Sequence, residues 1–367
     1  MKIAYLTTVP LPSRRAAAVQ IMAMCEAMVR LGHEVTIYTP RSREAEQGPV
    51  LERYGLDCEI DVRTYPLTGV RWRGHKLGDF YPGWAARLRG VDLLYARCHA
   101  IRPLHATLRH RIPSVFEVHF GHDERWCNEI LTAEHVRRIV FQSRAVQSIY
   151  DARPDFRSEI GVVLPNGARA PTADPVHAWP DPDGFHVGYI GHLYQGKGME
   201  TIAALAPRCP WARFHVIGGR DEDVAAWRER TREIPNLQLH GYIAPAQLDP
   251  YRVSFGAILA PYGETVEGYG PGGPDLATTM SPLKVIEAMA SGVPLVASKM
   301  AIIEELVTDR QTAFLAPPED IDAWARALEH IRDDREDAKR VASNARARFR
   351  EAHTWESRAK QALAGLH

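Results

Sequence analysis

Val187-Gly188-Tyr189-Ile190-Gly191-His192-Leu193-Tyr194-Gln195-Gly196-Lys197-Gly198 decides the fold. An apolar run of strand character enters a glycine-rich turn holding one lysine, and a helical stretch over Met199 to Ala206 leaves it. The same alternation of short β-branched or aromatic runs with amphipathic stretches extends outward in both directions. It predicts strands near 186–191, 214–219, 237–243, 255–261, 294–298 and 313–317, and on the N-terminal side near 2–7, 34–38, 59–65, 91–96, 114–118, 138–142 and 161–164. Strands joined by crossover helices argue for parallel sheets, so the expected fold class is α/β with two Rossmann-like parallel-sheet domains. Pro165 to Gly184 carries five prolines together with Asn166-Gly167 and Asp183-Gly184, and reads as an interdomain linker. The expected organisation is 1–168 as the N-terminal domain, 169–184 as linker, 185–350 as the C-terminal domain and 351–367 as a terminal helix.

A chain of 367 residues suffices for two such domains. With 45% apolar and 25% charged residues the composition is that of a globular protein, and no apolar run approaches a membrane span. Lys2-Ile3-Ala4-Tyr5-Leu6 begins a strand at once, which leaves no room for a signal peptide and leads to the expectation of a cytoplasmic protein. The five cysteines, Cys25, Cys58, Cys98, Cys127 and Cys209, are scattered without a CxxC, so neither a disulfide framework nor a zinc site is expected. The net charge of zero conceals an asymmetry: through Pro165 there are 23 Lys and Arg against 18 Asp and Glu, leaving 22 against 27 for the remainder. Nine basic residues fall between Arg71 and Arg111, opposed only by Asp79 and Asp92 and interleaved with Trp72, Phe80, Tyr81 and Trp84. Stretch 71–111 is therefore a candidate surface for an anionic acceptor or for peripheral contact at the inner membrane face, with a solvated basic face as the plain alternative. No nucleic-acid partner is expected.

A glycine-rich turn lets main chain approach an anion closely, and Lys197 together with the following helix N-terminus supplies positive charge, so 191–198 reads as a phosphate site. The spacing from Gly191 to Lys197 nearly matches a Walker loop, but Gly198 stands where a Mg²⁺-binding Ser or Thr is required, which argues against a kinase or ATPase. The turn after the first strand, Thr8 to Arg15, has no GxGxxG, which argues against a dinucleotide-dependent dehydrogenase. A second segment runs Thr278-Thr279-Met280-Ser281-Pro282-Leu283-Lys284-Val285-Ile286-Glu287-Ala288-Met289-Ala290-Ser291-Gly292-Val293-Pro294. Ser281 suits an N-cap, Pro282 the first helical position and Gly292 the position after the helix. The N–H groups of Leu283 and Lys284 can then face a second phosphate, and Glu287 lies on the same face one turn deeper, placed to accept protons from sugar hydroxyls. The plain alternatives are a surface lysine in a tight turn and a Lys284–Glu287 surface pair.

The order GxxxxxKG followed by a helix ending EAMASGVP resembles the retaining glycosyltransferases of the GT-B fold, family 4 type. Further matching residues are Gly32-His33-Glu34-Val35, Val162-Val163-Leu164-Pro165-Asn166-Gly167, His240-Gly241-Tyr242, Ala260-Pro261-Tyr262 and His353-Thr354-Trp355, which together span almost the whole chain. The resemblance implies two domains facing across a cleft, an acceptor-binding N-terminal one and a nucleotide-sugar-binding C-terminal one, with the terminal helix returning to the first. It implies that Lys197 binds the donor diphosphate, that Glu287 binds the ribose hydroxyls and that His119 contacts the donor sugar, these three forming the expected catalytic set. Gly191, His192, Gly196, Tyr242, Ile243, Thr279, Ser281, Leu283 and Lys284 complete the expected donor site, with Tyr242 and Ile243 holding the base through main chain. Ser13, Arg14, Arg15 and Arg97 are the expected acceptor contacts.

The chain departs from the pattern at His192, where many members have arginine, at Thr279, where many have a first glutamate, and at Ser13-Arg14-Arg15, where paired glycines are usual. Lys284 is expected to supply the charge missing at 192. The implied reaction moves a hexose-type sugar from a nucleoside-diphosphate sugar to a sugar, lipid-linked or anionic acceptor with retention, without metal or cofactor, the nucleotide sugar being a substrate. Asp181-Pro182-Asp183 and Asp221-Glu222-Asp223 are read as solvated acids rather than metal-binding DxD motifs. A nucleotide-sugar epimerase and a non-catalytic nucleotide-sugar-binding protein remain the alternatives, with a P-loop phosphotransferase less favoured.

Overall fold

The computed structural model describes residues 1–13, 16–41, 54, 56, 58–65, 71–72, 75–76, 90–97, 112–119, 131–171, 179, 181, 183–244, 247–268 and 272–366. They form two compact units, one of Met1–Asn166 with Trp355–His367 and one of Gly167–Thr354. Arg14, Arg15 and most of the basic stretch 71–111 lie outside the described residues.

Unit 1 is built on a seven-stranded sheet in the order β3-β2-β1-β6-β7-β8-β9. Its strands are β1 (Lys2–Thr7), β2 (Glu34–Pro40), β3 (Asp61–Tyr65), β6 (Leu93–Arg97), β7 (Ser114–Val118), β8 (Val136–Phe141) and β9 (Gly161–Val163), while β4 (Arg71–Trp72) and β5 (His75–Lys76) form a separate antiparallel pair. Every pairing within the seven-stranded sheet is parallel. Successive side chains of a strand face opposite sides, so Ile3 and Tyr5 enter the core under helix α1 (Ala16–Arg30), while Ala4 and Leu6 enter the core on the other side. Burial on both faces is why β1 reads as a continuous apolar run rather than an alternating one.

Unit 2 repeats the plan with six parallel strands in the order β12-β11-β10-β13-β14-β15. They are β10 (Phe185–Ile190), β11 (Ala212–Ile217), β12 (Leu237–Gly241), β13 (Ala257–Ala260), β14 (Leu295–Ser298) and β15 (Phe314–Ala316). Numbered from β10 the order is 3-2-1-4-5-6, and the direction of strand addition reverses between β10 and β13. Ligands of such sheets bind beyond the carboxyl ends of the strands at that reversal, which is where both sequence segments lie. The last helix, α10 (Trp355–Leu363), belongs to unit 1, where Trp355, Ala359, Ala362 and Leu363 join the core shared with α1. Among the described residues no helix is long and apolar enough to cross a membrane.

Candidate active site

The glycine-rich turn leaves β10 and delivers the chain to helix α3 (Met199–Leu205). Its glycines are required first by neighbouring protein: a Cβ at Gly196 would stand 1.8 Å from the Thr265 carbonyl oxygen, and one at Gly198 would stand 2.4 Å from the Pro261 ring. Both also have left-handed backbone, φ 72° and 115°. Main-chain hydrogen bonds from Gly263 N to Gly196 O, 3.0 Å, and from Glu267 N to Gln195 O, 3.2 Å, fasten the turn to the segment that follows β13.

That segment leads into helix α6 (Leu283–Ser291), closed by Gly292 with φ 72°. The sequence places the N-cap at Ser281, but the helix begins one residue later, with Pro282 at the flanking position and no side-chain cap. The reason is local: Leu283 N donates to Ser281 O at 2.9 Å, closing a tight turn that leaves this N–H unavailable to a phosphate. Ser281 and Thr279 are partly buried beside the helix start.

Lys197 and Lys284 come together over one aromatic ring, their Nζ atoms 5.8 and 4.1 Å from the centroid of Tyr262. Lys284 Nζ also lies 4.3 Å from the Tyr189 ring. Desolvation lowers the pKa of Lys197. Lys284 is held well below the lysine range by desolvation and then by Lys197, with Glu287 pulling the other way. Neither ammonium group forms an ion pair with a carboxylate among the described residues. The plain alternative of a Lys284–Glu287 surface pair does not hold, since Glu287 faces Arg252, whose guanidinium lies 3.5 Å from its Oε2 and 2.9 Å from Asp249. Arg252 is buried in helix α5 (Asp249–Val253) and had no motif to signal it.

His192 is exposed and stacks on Tyr194 with centroids 5.0 Å apart. Its pKa is lowered by desolvation and then by Lys197 and Lys284. Tyr242 is 57% exposed just beyond β12, while Ile243 packs against the core. One aspartate of each DxD-like segment is paired with an arginine, Asp181 with Arg213 and Asp223 with Arg220.

The expected residues of unit 1 stand at the carboxyl ends of its strands. His119 follows β7, and Arg97 closes β6. Arg97 donates to Ala17 O at 2.9 Å and to Gln20 Oε1, and lies 3.4 Å from His119 Nδ1. His119 Nε2 meets the Glu117 carboxylate at 2.7 Å, and the Gln142 side-chain amide sits 2.5 Å from Nδ1. Burial, then Arg97, bring the His119 pKa down to about 4. His119 is thus a fixed and largely enclosed member of a polar cluster centred on Glu117, a residue the sequence reading passed over because a single glutamate in a strand carries no motif. Ser13 exchanges hydrogen bonds with Tyr54, whose hydroxyl lies 2.7 Å from both its N and its O.

Comparison with known proteins agrees with this architecture. Residues 184–334 match the family model described as glycosyl transferases group 1, and residues 17–169 match that of glycosyltransferase family 4. A D-inositol 3-phosphate glycosyltransferase of Corynebacterium aurimucosum is 23% identical, with 88% of this chain and 84% of that protein aligned. An MMP alpha-(1->4)-mannosyltransferase of Mycolicibacterium hassiacum is 37% identical over 83 residues, a stretch covering 22% of this chain and 20% of that protein. Anabaena HepE, in its crystal structure with UDP-glucose, superposes with a TM-score of 0.72 at 18% identity, covering 100% of this chain and 99% of its own. The chain belongs to the family 4-type glycosyltransferases of the GT-B fold.

Proposed function

We propose that the chain transfers a hexose-type sugar from a nucleoside-diphosphate sugar to an acceptor, with retention at the anomeric carbon and without a metal ion. The observation that carries this reading is the pair of desolvated lysines, Lys197 and Lys284, that share the Tyr262 ring and pair with no described carboxylate. Partly buried ammonium groups without counter-charge favour an anionic ligand, and the place where strand addition reverses suits a diphosphate. Departure of a nucleoside diphosphate develops negative charge, which a preorganised ammonium group stabilises. In a same-face displacement a leaving-phosphate oxygen takes the acceptor proton, so no enzymic nucleophile is needed. Glu287, repelled by phosphates, serves the ribose hydroxyls instead. Crystals of HepE contained UDP, UDP with glucose, or UDP-glucose, which supports a nucleotide-sugar donor. The acceptor is proposed to be anionic or lipid-linked on the strength of the nine basic residues in 71–111.

The test is a panel of UDP-, GDP- and ADP-sugars assayed by thermal shift and donor hydrolysis. One nucleotide class is expected to stabilise the wild type, and Lys197→Ala and Glu287→Ala are each expected to weaken it by about tenfold or more, as for loss of a hydrogen bond to a charged group. Undiminished binding and turnover in both variants removes the site assignment, and an epimerised nucleotide sugar as the product removes the transferase reading.

A further inference from the structure

One phenol and one ammonium group hold the glycine-rich turn from beneath. The Tyr189 hydroxyl, on a side chain only 1% exposed, lies 2.5 Å from His192 O and 2.9 Å from Lys197 O, and accepts from Lys284 Nζ at 3.0 Å. Lys284 Nζ donates in addition to Lys197 O at 2.8 Å. A phenol has one hydrogen, so it satisfies one carbonyl at a time. Donation to the nearer His192 O leaves Lys197 O to the lysine, and all three groups are then matched. The two ends of the turn are thereby tied to each other and to the first turn of α6, where Lys284 lies 87 residues after Lys197. Lys284 thus spends two of its three N–H donors on protein oxygens, whereas Lys197 has its carbonyl fixed and its ammonium group unpaired among the described residues.

We infer that Tyr189 and Lys284 are positioning residues that fix the main chain of Lys197, and through it the direction of the Lys197 ammonium group, rather than ligands of the donor. This rests on the donor-site reading above and changes the role of Lys284 from phosphate contact to brace. The alternative, an independent phosphate contact by Lys284, makes a different prediction for combined substitutions, because effects transmitted through one residue vanish when that residue is gone.

The experiment measures Kd for UDP, GDP and ADP by calorimetry, taking the tightest, in wild type, Tyr189→Phe, Lys284→Met, Lys197→Ala and the two doubles with Lys197→Ala. Tyr189→Phe keeps the ring and removes only the hydroxyl, so it reports even if Lys284→Met fails to fold. Tyr189→Phe is expected to raise Kd about tenfold in the wild type and less than about twofold once Lys197 is alanine. Full retention of its effect in the Lys197→Ala background, or no effect in the wild type, overturns the positioning role while leaving the donor site standing. Unchanged affinity in Lys197→Ala alone rejects the donor-site reading itself and the positioning role with it.

Discussion

Glu287 shows how the worth of a single carboxylate is set by what faces it. Its side chain is 38% exposed, and Arg252, itself buried and bonded to Asp249, approaches one of its oxygens at 3.5 Å. That distance is long for a strong ion pair, so the carboxylate is oriented without being saturated and keeps lone pairs for a diol. If Glu287 reads ribose, the wild type will favour the ribonucleotide over its 2′-deoxy analogue by about tenfold, the scale of one hydrogen bond to a charged group. Glu287→Ala should abolish that preference, and Arg252→Gln should shrink it without removing it. The measurement is the ratio of Kd values for the two nucleotides in each protein; a ratio that survives Glu287→Ala assigns the ribose contact elsewhere. Lys197 and Glu287 stood out in the sequence because each sits in a motif with fixed spacing. Arg252, Tyr189 and Glu117 did not, since their roles come from neighbours contributed by other strands and helices.

At the scale of elements, parallel pairing aligns three histidines that are 29 and 25 residues apart in sequence into one hydrogen-bonded row. His186 on β10 meets His215 on β11 at 2.9 Å, and His215 meets His240 on β12 at 3.0 Å, with the Trp179 ring stacked 3.8 Å from His215. The row begins at the Asp181 carbonyl, 2.5 Å from His186 Nε2. A carbonyl only accepts, so His186 carries its proton on Nε2 and accepts on Nδ1. His215 must then donate from Nε2, and His240 likewise. A further proton disrupts this order, and burial brings the His215 pKa down to about 3, with His240 and His186 adding to the effect, while burial and Arg228 lower that of His240. The folded pKa values lie below the unfolded value of about 6.5, so the unfolded chain binds more protons across that interval. The contribution to stability is complete above pH 6.5 and declines as pH falls, by about 1.4 kcal/mol per pH unit for a fully depressed histidine. Urea unfolding at pH 7, 6 and 5 should therefore show a shallower decline in His215→Gln than in wild type, and equal slopes exclude the row as its source. Strand periods were legible in sequence to within about two residues at most positions, whereas the row was not, because register between strands is a property of the assembled sheet.

For the whole molecule, the chain passes from unit 1 to unit 2 and comes back, so its last helix completes a core begun by its first strand. The return was readable only by likeness to a family, since the amphipathic pattern of 355–363 says that one face is buried but not against what. The structure fastens α10 at two places. Arg138 on β8 donates to the carbonyls of Gln361, Ala362 and Ala364 at 3.0, 2.8 and 2.9 Å, satisfying the helix end. Deeper, Arg358 and Glu117, 1% and 0% exposed, pair at 2.9 Å, and Tyr95 donates to the same carboxylate at 2.8 Å. Burial opposes ionisation of Glu117, but Arg358, with His119 and Arg97, outweighs it and holds the carboxyl well below its usual range. Arg358→Met fills similar space but takes the guanidinium from that buried carboxylate, and breaking a buried pair on one side costs about 3–5 kcal/mol. Adding Glu117→Gln removes the stranded charge, so the double variant should regain part of the loss, in contrast to two independent defects, which would add. Chemical denaturation of the wild type, the single and the double variant at pH 7 measures both quantities. An Arg358→Met protein as stable as wild type shows that apolar packing of Trp355, Ala359 and Leu363 holds the helix without the buried pair, and a double variant no better than the single shows that the stranded charge is not the source of the loss.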